Sequence, residues 1–463
     1  MRVVNHFYLD LVLPLVSREG FAGAGRRTRA YAARERRSLA ENAEEQWLRL
    51  RRLCQHAYET TPFYKRRFDE AGISPPRLQA PDDLKRLPLL TRDDIRNHLE
   101  EMWSRKYRRE DLRSSATGGT TDTPVVFLRD RESVLEKNAS QLRFNQWAGF
   151  GPGDKVFYLW GAQQDYAQDP SWRWRLFDRG MMRRVWAHTS YFSDEVMASH
   201  LAQMNELRPR VVYAYPTPLA NFCEYLRERK PDFHRPKTVI CTAELLDEEQ
   251  RQLIEATMGC RVFEHYGTRD FGMAAGECEA HSGLHMNPAA VYAEYMLVPG
   301  ADDPEMRELV VTDLLNVGMP LIRYQVNDCV FPAEGECACG RGYPRVRSIV
   351  GRVSDNFYLT NGDVVSGVVG RRISQAVPAV KKLQIVQDSF DAFRVRFIPG
   401  PNCSPAEQQK MESMLREYVG TNVAITFERV DAIEREKSGK TRLSISHVKR
   451  PAARVATRGA EQG

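Results

Sequence analysis

Short apolar segments alternate with amphipathic helical segments through the middle of the chain, and this alternation restricts the folds open to it. Strand-like segments at 125–130, 154–160, 210–216, 237–244 and 260–267 are separated by segments with the 3.6-residue period of helices. Strands that alternate with helices predict an α/β fold with parallel layers. Because ligands bind at the carboxyl ends of such strands, we expect a functional site in the loops that follow them.

The segments on either side of this region have different hydrophobic periods. A chain of 463 residues is also too long for a single hydrophobic core. Residues 1–110 are mainly helical, and the chain after the α/β segment is rich in strands. We predict a large domain over 1–350, a hinge at 351–356, and a small, mobile α+β domain over 357–450. The end of the chain is rich in Ala, Arg, Gly and Gln, so we predict a disordered tail over 451–463.

Composition and charge argue against several classes of protein. The net charge is +6, and much of the excess lies at 25–37 and 447–459, without the repeats or finger spacing of a nucleic-acid-binding protein. The nine cysteines are an odd number spread along the chain, which argues against a disulfide framework and favours a reducing cytoplasm. The apolar segment 6–16 is shorter than the ~20 residues that span a bilayer. We favour its packing onto the protein body over a peripheral contact with a membrane.

The segment SSATGGTTDTP (114–124) has the composition of a phosphate-binding loop. Short hydroxyls and exposed backbone N–H groups are suited to anionic oxygens, although many such loops bind nothing. The candidate donors are Ser114, Ser115, Thr117, Thr120 and Thr121, and Gly118 and Gly119 permit a close approach of the backbone.

Three further loops carry residues suited to a nucleotide. Tyr266 offers a flat face to a base, and Asp270 offers a carboxylate to Mg²⁺. Asp328, at the end of a strand, has two oxygens for two ribose hydroxyls. Lys440, close to Lys437, can neutralise charge on a phosphate under attack. Each residue alone is better explained by a turn, a cap or an exposed loop, whereas their order along the chain favours one shared site.

In the order and spacing of these motifs the chain resembles the adenylate-forming superfamily, the acyl-CoA synthetases and their relatives. Within it, the chain looks most like the phenylacetate-CoA ligase branch and the related CapK-type capsule-biosynthesis proteins. The resemblance extends from LRRLCQHAYETTPFYKRRFDEAGI (50–73) to EREKSGKTR (434–442), and LPLLTRDDIR is typical of that branch. It implies a large N-terminal domain with a helical part, α/β layers and a strand-rich subdomain, and a small C-terminal lid.

The resemblance also assigns a role to each motif. It implies that the loop at 114–124 grips the ATP phosphates, that TAELL (242–246) lines the adenine, and that YGTRD (266–270) is the signature motif. The residues so implied to bind the nucleotide are Ser114, Ser115, Thr117, Gly118, Gly119, Thr121, Ala243, Glu244, Tyr266, Gly267, Thr268, Asp328 and Arg352. The catalytic set is Lys440, which would bridge the carboxylate and the α-phosphate, with Asp270, which would help to hold Mg²⁺, and Thr120.

Three positions depart from the superfamily pattern. Asp122-Thr123 stands where the phosphate loop usually has Gly-Lys, which removes a positive charge near the β- and γ-phosphates and adds a negative one. The signature acid is Asp270, one methylene shorter than the usual Glu, and the hinge residue is Ser354 rather than Asp.

The resemblance implies an AMP-forming ligase that uses ATP and Mg²⁺ to activate a carboxylic acid as an acyl-adenylate and passes the acyl group to a thiol, with CoA as first candidate. An adenylating enzyme with an amine or hydroxyl acceptor, in capsule polysaccharide or secondary-metabolite biosynthesis, is one alternative. A non-catalytic relative that binds nucleotide is another, and Asp122 is its best support. A homodimer is one candidate for the oligomeric state, which the sequence leaves open.

A separate group of cysteines and histidines, in ECEAHSGLH (277–285) and CACG (337–340), has the composition of a zinc site. Three thiolates and one imidazole make a closed, structural site. The candidate ligands are Cys278, Cys337 and Cys339, with His285 as the first choice for the fourth ligand and His281 as the alternative. A reduced pair in a turn beside buried histidines is the competing interpretation. The placement resembles a Cys/His cluster of the phenylacetate-CoA ligase branch, and we favour zinc.

Aromatic residues near three of the strand ends suggest where the acid binds. Trp160, Tyr215 and Phe271 all lie close to predicted strand ends. We predict that they line a pocket for a flat or apolar acid, although aromatic residues at such positions are also common in cores.

Overall fold

The computed structural model of the chain describes residues 8–16, 18–116, 125–160, 183–188, 193–298, 303–352, 357–360, 364–365, 368–401, 403–433 and 443–448. Outside these ranges lie the predicted site residues Thr117, Gly118, Gly119, Thr120, Thr121 and Lys440, the hinge residue Ser354, and the predicted tail at 451–463.

The helices begin at polar caps that the sequence supplies. Ser38 and Glu41 form a capping box at the start of a 22-residue helix, and Thr91 caps another together with Asp94. The helices are α1 (Ala24–Arg34), α2 (Leu39–Thr60), α3 (Pro62–Glu70), α4 (Arg92–Met102), α5 (Arg131–Trp147), α6 (Asp194–Leu207), α7 (Pro216–Arg229), α8 (Glu248–Met258), α9 (Val368–Ala376) and α10 (Pro405–Val419). Shorter helical turns lie at Tyr8–Val12, Leu13–Val16, Arg18–Phe21, Pro75–Arg77, Pro81–Arg86 and Arg109–Asp111.

The strands are β1 (Arg113–Ala116), β2 (Val126–Arg129), β3 (Val156–Trp160), β4 (Arg184–His188), β5 (Val211–Ala214), β6 (Thr238–Thr242), β7 (Val262–Thr268), β8 (Gly272–Glu277), β9 (Leu284–Met286), β10 (Val291–Leu297), β11 (Arg307–Asp313), β12 (Tyr324–Ala333), β13 (Arg345–Arg352), β14 (Phe357–Tyr358), β15 (Val364–Val365), β16 (Val380–Ser389), β17 (Ala392–Pro399), β18 (Ala424–Arg429) and β19 (Ser444–Ser446).

Eleven of these strands form one sheet, in the order β10-β11-β12-β13-β9-β8-β7-β6-β5-β3-β4. From β4 to β7 the neighbours are parallel, and from β7 to β10 they are antiparallel. Every residue of β5 and β6 is buried, as expected for strands with helices on both faces. The α/β prediction is therefore confirmed.

The strand-rich segment continues this sheet, because the chain turns back from β7 into β8 at Gly272. Gly272 has a φ of +83°, in the left-handed region that glycine adopts without strain. β1, β4 and β19 were not predicted from the sequence. β1 lies within the serine-rich segment that was expected to be a loop.

The N-terminal helices pack onto the antiparallel part of the sheet through one large core. Leu50, Phe68 and Ile95 on the helices share this core with Val311 and Tyr324 on the strands. Burial of such side chains, each contributing about 1.5–3 kcal/mol, fixes the helices against the strands that carry the candidate site.

The N-terminal segment, of which residues 8–16 are described, also packs onto the protein body. Leu9 and Leu13 are buried in a small cluster with Ala24. Tyr31 on α1 donates a hydrogen bond of 2.9 Å to the Glu136 carboxylate on α5. Among the described helices, none combines the length and the apolar composition that crossing a membrane requires.

The C-terminal segment has a core of its own. β18, β17, β16 and β19 form a four-stranded sheet in that order, and α9 and α10 supply Ile373, Met411 and Leu415 to the cluster that includes Phe393 and Val395. β16 and β17 form a hairpin, and α10 follows it.

Candidate nucleotide and acyl site

The predicted adenine segment follows β6 directly and begins in a strained conformation. Ala243 has a φ of +70°, which costs a non-glycine residue roughly 1–2 kcal/mol. The Glu244 carboxylate accepts a hydrogen bond of 3.2 Å from the Thr217 backbone N–H, at the start of α7. Strained residues held in place by their surroundings are concentrated at functional sites, so this geometry agrees with the predicted role.

The signature motif forms the end of β7 and a tight turn into β8. A Cβ atom on Gly267 would lie 2.6 Å from the Gly272 carbonyl oxygen, so only glycine fits there. The Thr268 hydroxyl accepts hydrogen bonds from the backbone N–H groups of Asp270, at 3.1 Å, and Phe271, at 3.4 Å. Thr268 therefore shapes the turn that presents the signature acid.

Tyr266 and Asp328, both predicted to bind the nucleoside, are in direct contact. The Tyr266 hydroxyl donates a hydrogen bond of 2.6 Å to Asp328 Oδ2. Asp328 lies on β12, where the pairing with β11 is shifted between Leu309 and Val310 and the preceding residue, Asn327, has a φ of +64°. Such an irregularity changes the direction of a strand. The Tyr266 ring and the Asp328 carboxylate, 62 residues apart in the chain, are in contact here.

Three other residues predicted to contact the nucleotide lie on strands, one of them beside Asp328. The Cα of Arg352 is the direct partner of Asp328 in the β12–β13 ladder. Ser114 and Ser115 lie on β1, opposite Leu128 and Phe127, and lead into the phosphate loop.

Asp270 has partners that were not predicted from the sequence. Its carboxylate is 2% exposed, and Oδ2 accepts a hydrogen bond of 2.8 Å from the Tyr324 hydroxyl. The Tyr324 oxygen in turn accepts a hydrogen bond of 3.2 Å from Arg92 Nε, and Arg92 Nη2 lies 3.8 Å from Asp270. The Asp270 carboxylate is therefore oriented by Tyr324 and Arg92 as well as by the turn that Thr268 shapes.

The N-terminal segment reaches the site because it is clamped to β12. The Leu90 N–H donates to the Arg323 carbonyl at 2.8 Å, and the Gln325 N–H donates to the Leu90 carbonyl at 2.9 Å. Arg323 is itself buried and bonds the Glu294 carboxylate at 3.0 Å. The clamp places Arg92, the first residue of α4, over Tyr324.

We expect Tyr324→Phe to lower the free energy of unfolding by about 1–3 kcal/mol, because it leaves the buried Asp270 carboxylate without its hydroxyl donor. Urea unfolding would measure the change. Tyr295→Phe is the matched control, since the Tyr295 hydroxyl has no hydrogen bond within the described ranges, and its expected change is below about 0.5 kcal/mol. Equal losses in the two variants would contradict a structural role for the Tyr324 hydroxyl.

Aromatic rings gather at the carboxyl ends of β3, β4 and β5. The Trp160 and Tyr215 rings lie 4.6 Å apart, and the Tyr158 and Trp186 rings are stacked at 4.0 Å. Phe271 is buried on another side, where its ring is 6.3 Å from that of Tyr266. Of the three predicted pocket residues, Trp160 and Tyr215 are therefore in contact, and Phe271 packs below the signature turn.

The predicted metal ligands form a compact group between β8, β9 and the β12–β13 connection. One ligand atom each of Cys278, His285, Cys337 and Cys339 lies within 4.8 Å of all the others. The sulfurs of Cys278 and Cys337 are 3.7 Å apart, close to the roughly 3.8 Å between sulfurs of a tetrahedral zinc site with ~2.3 Å bonds. Cys339 Sγ is 3.4 Å from His285 Nε2.

The protonation state of His285 agrees with metal ligation. Burial lowers the pKa of His285 to about 4, so its imidazole is neutral at pH 7. His285 Nδ1 lies 3.2 Å from the Tyr343 carbonyl oxygen, which favours a proton on Nδ1 and a lone pair on Nε2. The structure brings His285 rather than His281 into the group, because His281 Nδ1 lies 3.1 Å from a carboxylate oxygen of Glu277.

The fold is that of solved adenylate-forming CoA ligases. A solved structure of 2-hydroxyisobutyryl-CoA ligase in the postadenylation state matches 89% of this chain and 91% of its own, with a TM-score of 0.69 and 20% identity.

Residues 357–447 match the family model of the CapK C-terminal domain. The phenylacetate-coenzyme A ligase of Thermus thermophilus is 24% identical over 435 residues, which cover 85% of this chain and 94% of that enzyme. The protein CapK of Staphylococcus aureus is 23% identical over 376 residues, which cover 79% of this chain and 81% of CapK. These similarities confirm the superfamily and the branch that the motifs predicted.

Proposed function

We propose that this chain is an AMP-forming ligase that activates a carboxylic acid with ATP and passes the acyl group to CoA. The hydrogen bond between Tyr266 and Asp328 is the observation that carries the proposal. It joins an aromatic face, on which adenine can stack, to a carboxylate whose two oxygens can accept both ribose hydroxyls. Similarity to phenylacetate-CoA ligases over most of the chain supports the same activity.

In the proposed first step, an oxygen of the substrate carboxylate attacks the α-phosphorus of ATP. The new P–O bond replaces the bond to pyrophosphate, which leaves, and the product is an acyl-adenylate. Little covalent work falls to the protein, so positioning and charge neutralisation account for the rate. Lys440 is the proposed cation at the carboxylate and the α-phosphate. In the second step the CoA thiol attacks the acyl carbon, and AMP leaves with the electron pair of the broken C–O bond.

Asp270 is the proposed protein ligand of Mg²⁺. This ion usually keeps several waters and binds one or two carboxylates together with substrate phosphates, so a single oriented carboxylate fits. When bound, the ion would neutralise charge on the phosphates. The Tyr324 hydroxyl holds one oxygen of Asp270 in place.

The aromatic rings around Trp160 favour a flat or apolar acid. Tyr158, Trp186, Tyr213 and Tyr215 all lie within 6.4 Å of Trp160, measured between ring centroids. Offset and edge-to-face contacts between rings each contribute about 0.5–1.5 kcal/mol, which would favour an aromatic substrate over a short hydroxy acid.

The match of residues 357–447 to the CapK C-terminal domain favours a second candidate, an adenylating enzyme whose acceptor is an amine or a hydroxyl. The proposed first step is the same for both candidates. They differ only in the nucleophile that attacks the acyl carbon.

The test is pyrophosphate release from ATP with a panel of aromatic, branched and straight-chain carboxylic acids, followed by identification of the product with CoA or with amines. Acid-dependent release with formation of an acyl-CoA would support the ligase. Release without acyl-CoA, but with formation of an amide or ester, would support the second candidate. Nucleotide binding without release for any acid would contradict both and support a non-catalytic relative.

We also propose that Cys278, Cys337, Cys339 and His285 hold one structural zinc ion. A site with four protein ligands leaves no open position for catalysis. The group also borders the N-terminal helices, because Asn42 on α2 donates to the Gly342 carbonyl at 2.7 Å. The ion would tie the β12–β13 connection to the sheet.

We expect the purified protein to hold about one zinc ion per chain, as elemental analysis would measure. Cys337→Ser should lose the metal and lower the melting temperature by roughly 5 °C or more. His281→Ala is the matched control and should retain zinc, because its ring faces Glu277. Full zinc content in Cys337→Ser would contradict the site.

A further inference from the structure

Arg92, the first residue of α4, places a guanidinium group beside the signature acid. Its Nε donates a hydrogen bond of 3.2 Å to the Tyr324 hydroxyl, and its Nη2 lies 3.8 Å from Asp270 Oδ2. Neither Nη1 nor Nη2 donates a hydrogen bond to any residue in the described ranges, and neither atom is enclosed. The side chain is 32% exposed. Two nitrogens of one planar group are therefore open to a ligand.

The position of this guanidinium is fixed by its own segment of the chain. The N–H and the carbonyl of Leu90 are both bonded to β12, and Thr91 caps α4 together with Asp94. The bond from Nε to Tyr324 holds the middle of the Arg92 side chain. The terminal nitrogens can therefore reach only a ligand that lies close to this strand and to the signature turn.

The other acids in the first turn of α4 are engaged within that turn. Asp93 pairs with Arg96, and Asp94 accepts a hydrogen bond of 2.8 Å from the Thr91 backbone N–H. Among the described carboxylates, Asp270 is the one that forms an ion pair with the guanidinium at the start of the helix.

Arg92 is close to both acids that we assign to the nucleotide. It contacts Asp270, the proposed ligand of Mg²⁺, and Tyr324, which shares β12 with Asp328, the proposed ligand of the ribose. Burial acts to lower the pKa of Arg92, whereas Tyr324, Asp270 and Asp328 raise it, so the side chain is a cation. The group that joins the ribose to the rest of the ATP phosphate chain is the α-phosphate, and a fork of N–H groups suits phosphate oxygens.

Mg²⁺ at Asp270 would be a second cation beside Arg92. Because like charges disfavour each other, the metal and the guanidinium would compete for the Asp270 carboxylate in the absence of an anion. Phosphate oxygens bind Mg²⁺ and arginine alike, so a bound nucleotide would remove the competition.

We propose that Arg92 is a nucleotide-binding residue, which exchanges the Asp270 carboxylate for the α-phosphate when ATP binds. This inference rests on the proposed function and adds to its site a cation from the N-terminal helices. It gives one substitution opposite effects on the metal alone and on the nucleotide.

The test is calorimetric titration of the full-length protein with Mn²⁺ alone, which favours the same oxygen ligands as Mg²⁺, and with adenosine, AMP and ATP in the presence of Mg²⁺. Arg92→Met should weaken AMP and ATP roughly 10- to 100-fold, because a hydrogen bond to a charged group is lost. Adenosine should bind as it does to the wild type, because it keeps the contacts with Tyr266 and Asp328. Mn²⁺ alone should bind several-fold more tightly, because a competing cation has been removed.

Two further variants separate charge from shape and from position. Arg92→Lys keeps the positive charge without the planar fork, so it should weaken AMP and ATP by several-fold and leave the affinity for Mn²⁺ unchanged. Arg86→Met is the matched control, since Arg86 is exposed six residues earlier on the same segment and should change no affinity.

The comparison of AMP with adenosine distinguishes a phosphate contact from support of the fold. Equal weakening of the two ligands in Arg92→Met would assign Arg92 to support alone and overturn the inference, as would unchanged AMP affinity in both Arg92 variants. A weaker affinity of Arg92→Met for Mn²⁺ would also overturn it. These results would leave the proposed function intact, whereas a wild-type protein that binds neither ATP nor AMP would overturn both.

Discussion

Alanine in place of Lys440 is expected to slow acyl-adenylate formation roughly 100- to 1,000-fold, the range found when one preorganised donor to a developing charge is removed. In the proposed reaction, negative charge builds on the α-phosphate as the carboxylate attacks. Among the residues of the C-terminal basic loop EREKSGKTR (434–442), Lys440 is the one that the superfamily resemblance places at this charge.

Single-turnover release of pyrophosphate would measure this effect separately from the attack of CoA. Lys437→Ala is the matched control, since it removes the same charge from the same loop three residues earlier, and we expect a change of less than about threefold. Both variants should have the melting temperature of the wild type. Similar rates in Lys440→Ala and Lys437→Ala would contradict a specific role for Lys440.

Asp328→Ala is expected to weaken ATP binding by at least roughly 100-fold, because two hydrogen bonds to a charged group are lost and each contributes about 1.5–3 kcal/mol. The ribose would lose two hydroxyl contacts. The Tyr266 hydroxyl would also lose its partner at 2.6 Å, which would loosen the aromatic face proposed for adenine.

Titration with ATP and with AMP would measure this loss, and both ligands should be weakened to the same degree because both carry the ribose. Asp391→Ala, in the exposed turn between β16 and β17, is the control and should change neither affinity. Unaltered AMP binding in Asp328→Ala would contradict its assignment to the ribose.

Two of the residues that the sequence assigned to one site lie close together in the structure. Tyr266 and Asp328 lie in motifs whose order along the chain resembles a known superfamily, and the structure places them in hydrogen-bonding contact. The choice of His285 over His281 also agrees with the geometry, since His285 lies within the cysteine group.

The partners of Asp270 were not predictable in this way. Arg92 and Tyr324 are 232 residues apart and meet because Leu90 is bonded to Arg323 and Gln325. Arg129 is similar, since its contact with the Arg269 carbonyl spans 140 residues. An arginine in a strand or at a helix start is usually a solvated side chain, and no local pattern distinguishes one that packs under a distant turn.

The continuity of the sheet was likewise not predictable from the sequence. The antiparallel strands were predicted as a strand-rich region, but nothing within them specifies that β8 pairs with β7. That pairing depends on the turn at Gly267 and Gly272, where a side chain on Gly267 would collide with the backbone. The turn joins the two halves of the sheet and also places Asp270.

A crystal structure of the protein with a stable acyl-adenylate analogue is the most direct test of the central claim, that distant segments converge on one nucleotide. We predict that the adenine ring lies against Tyr266, that both ribose hydroxyls are within hydrogen-bonding distance of Asp328, and that the acyl group points toward Trp160 and Tyr215. An analogue bound away from the Tyr266–Asp328 pair, with that hydrogen bond undisturbed, would contradict the account.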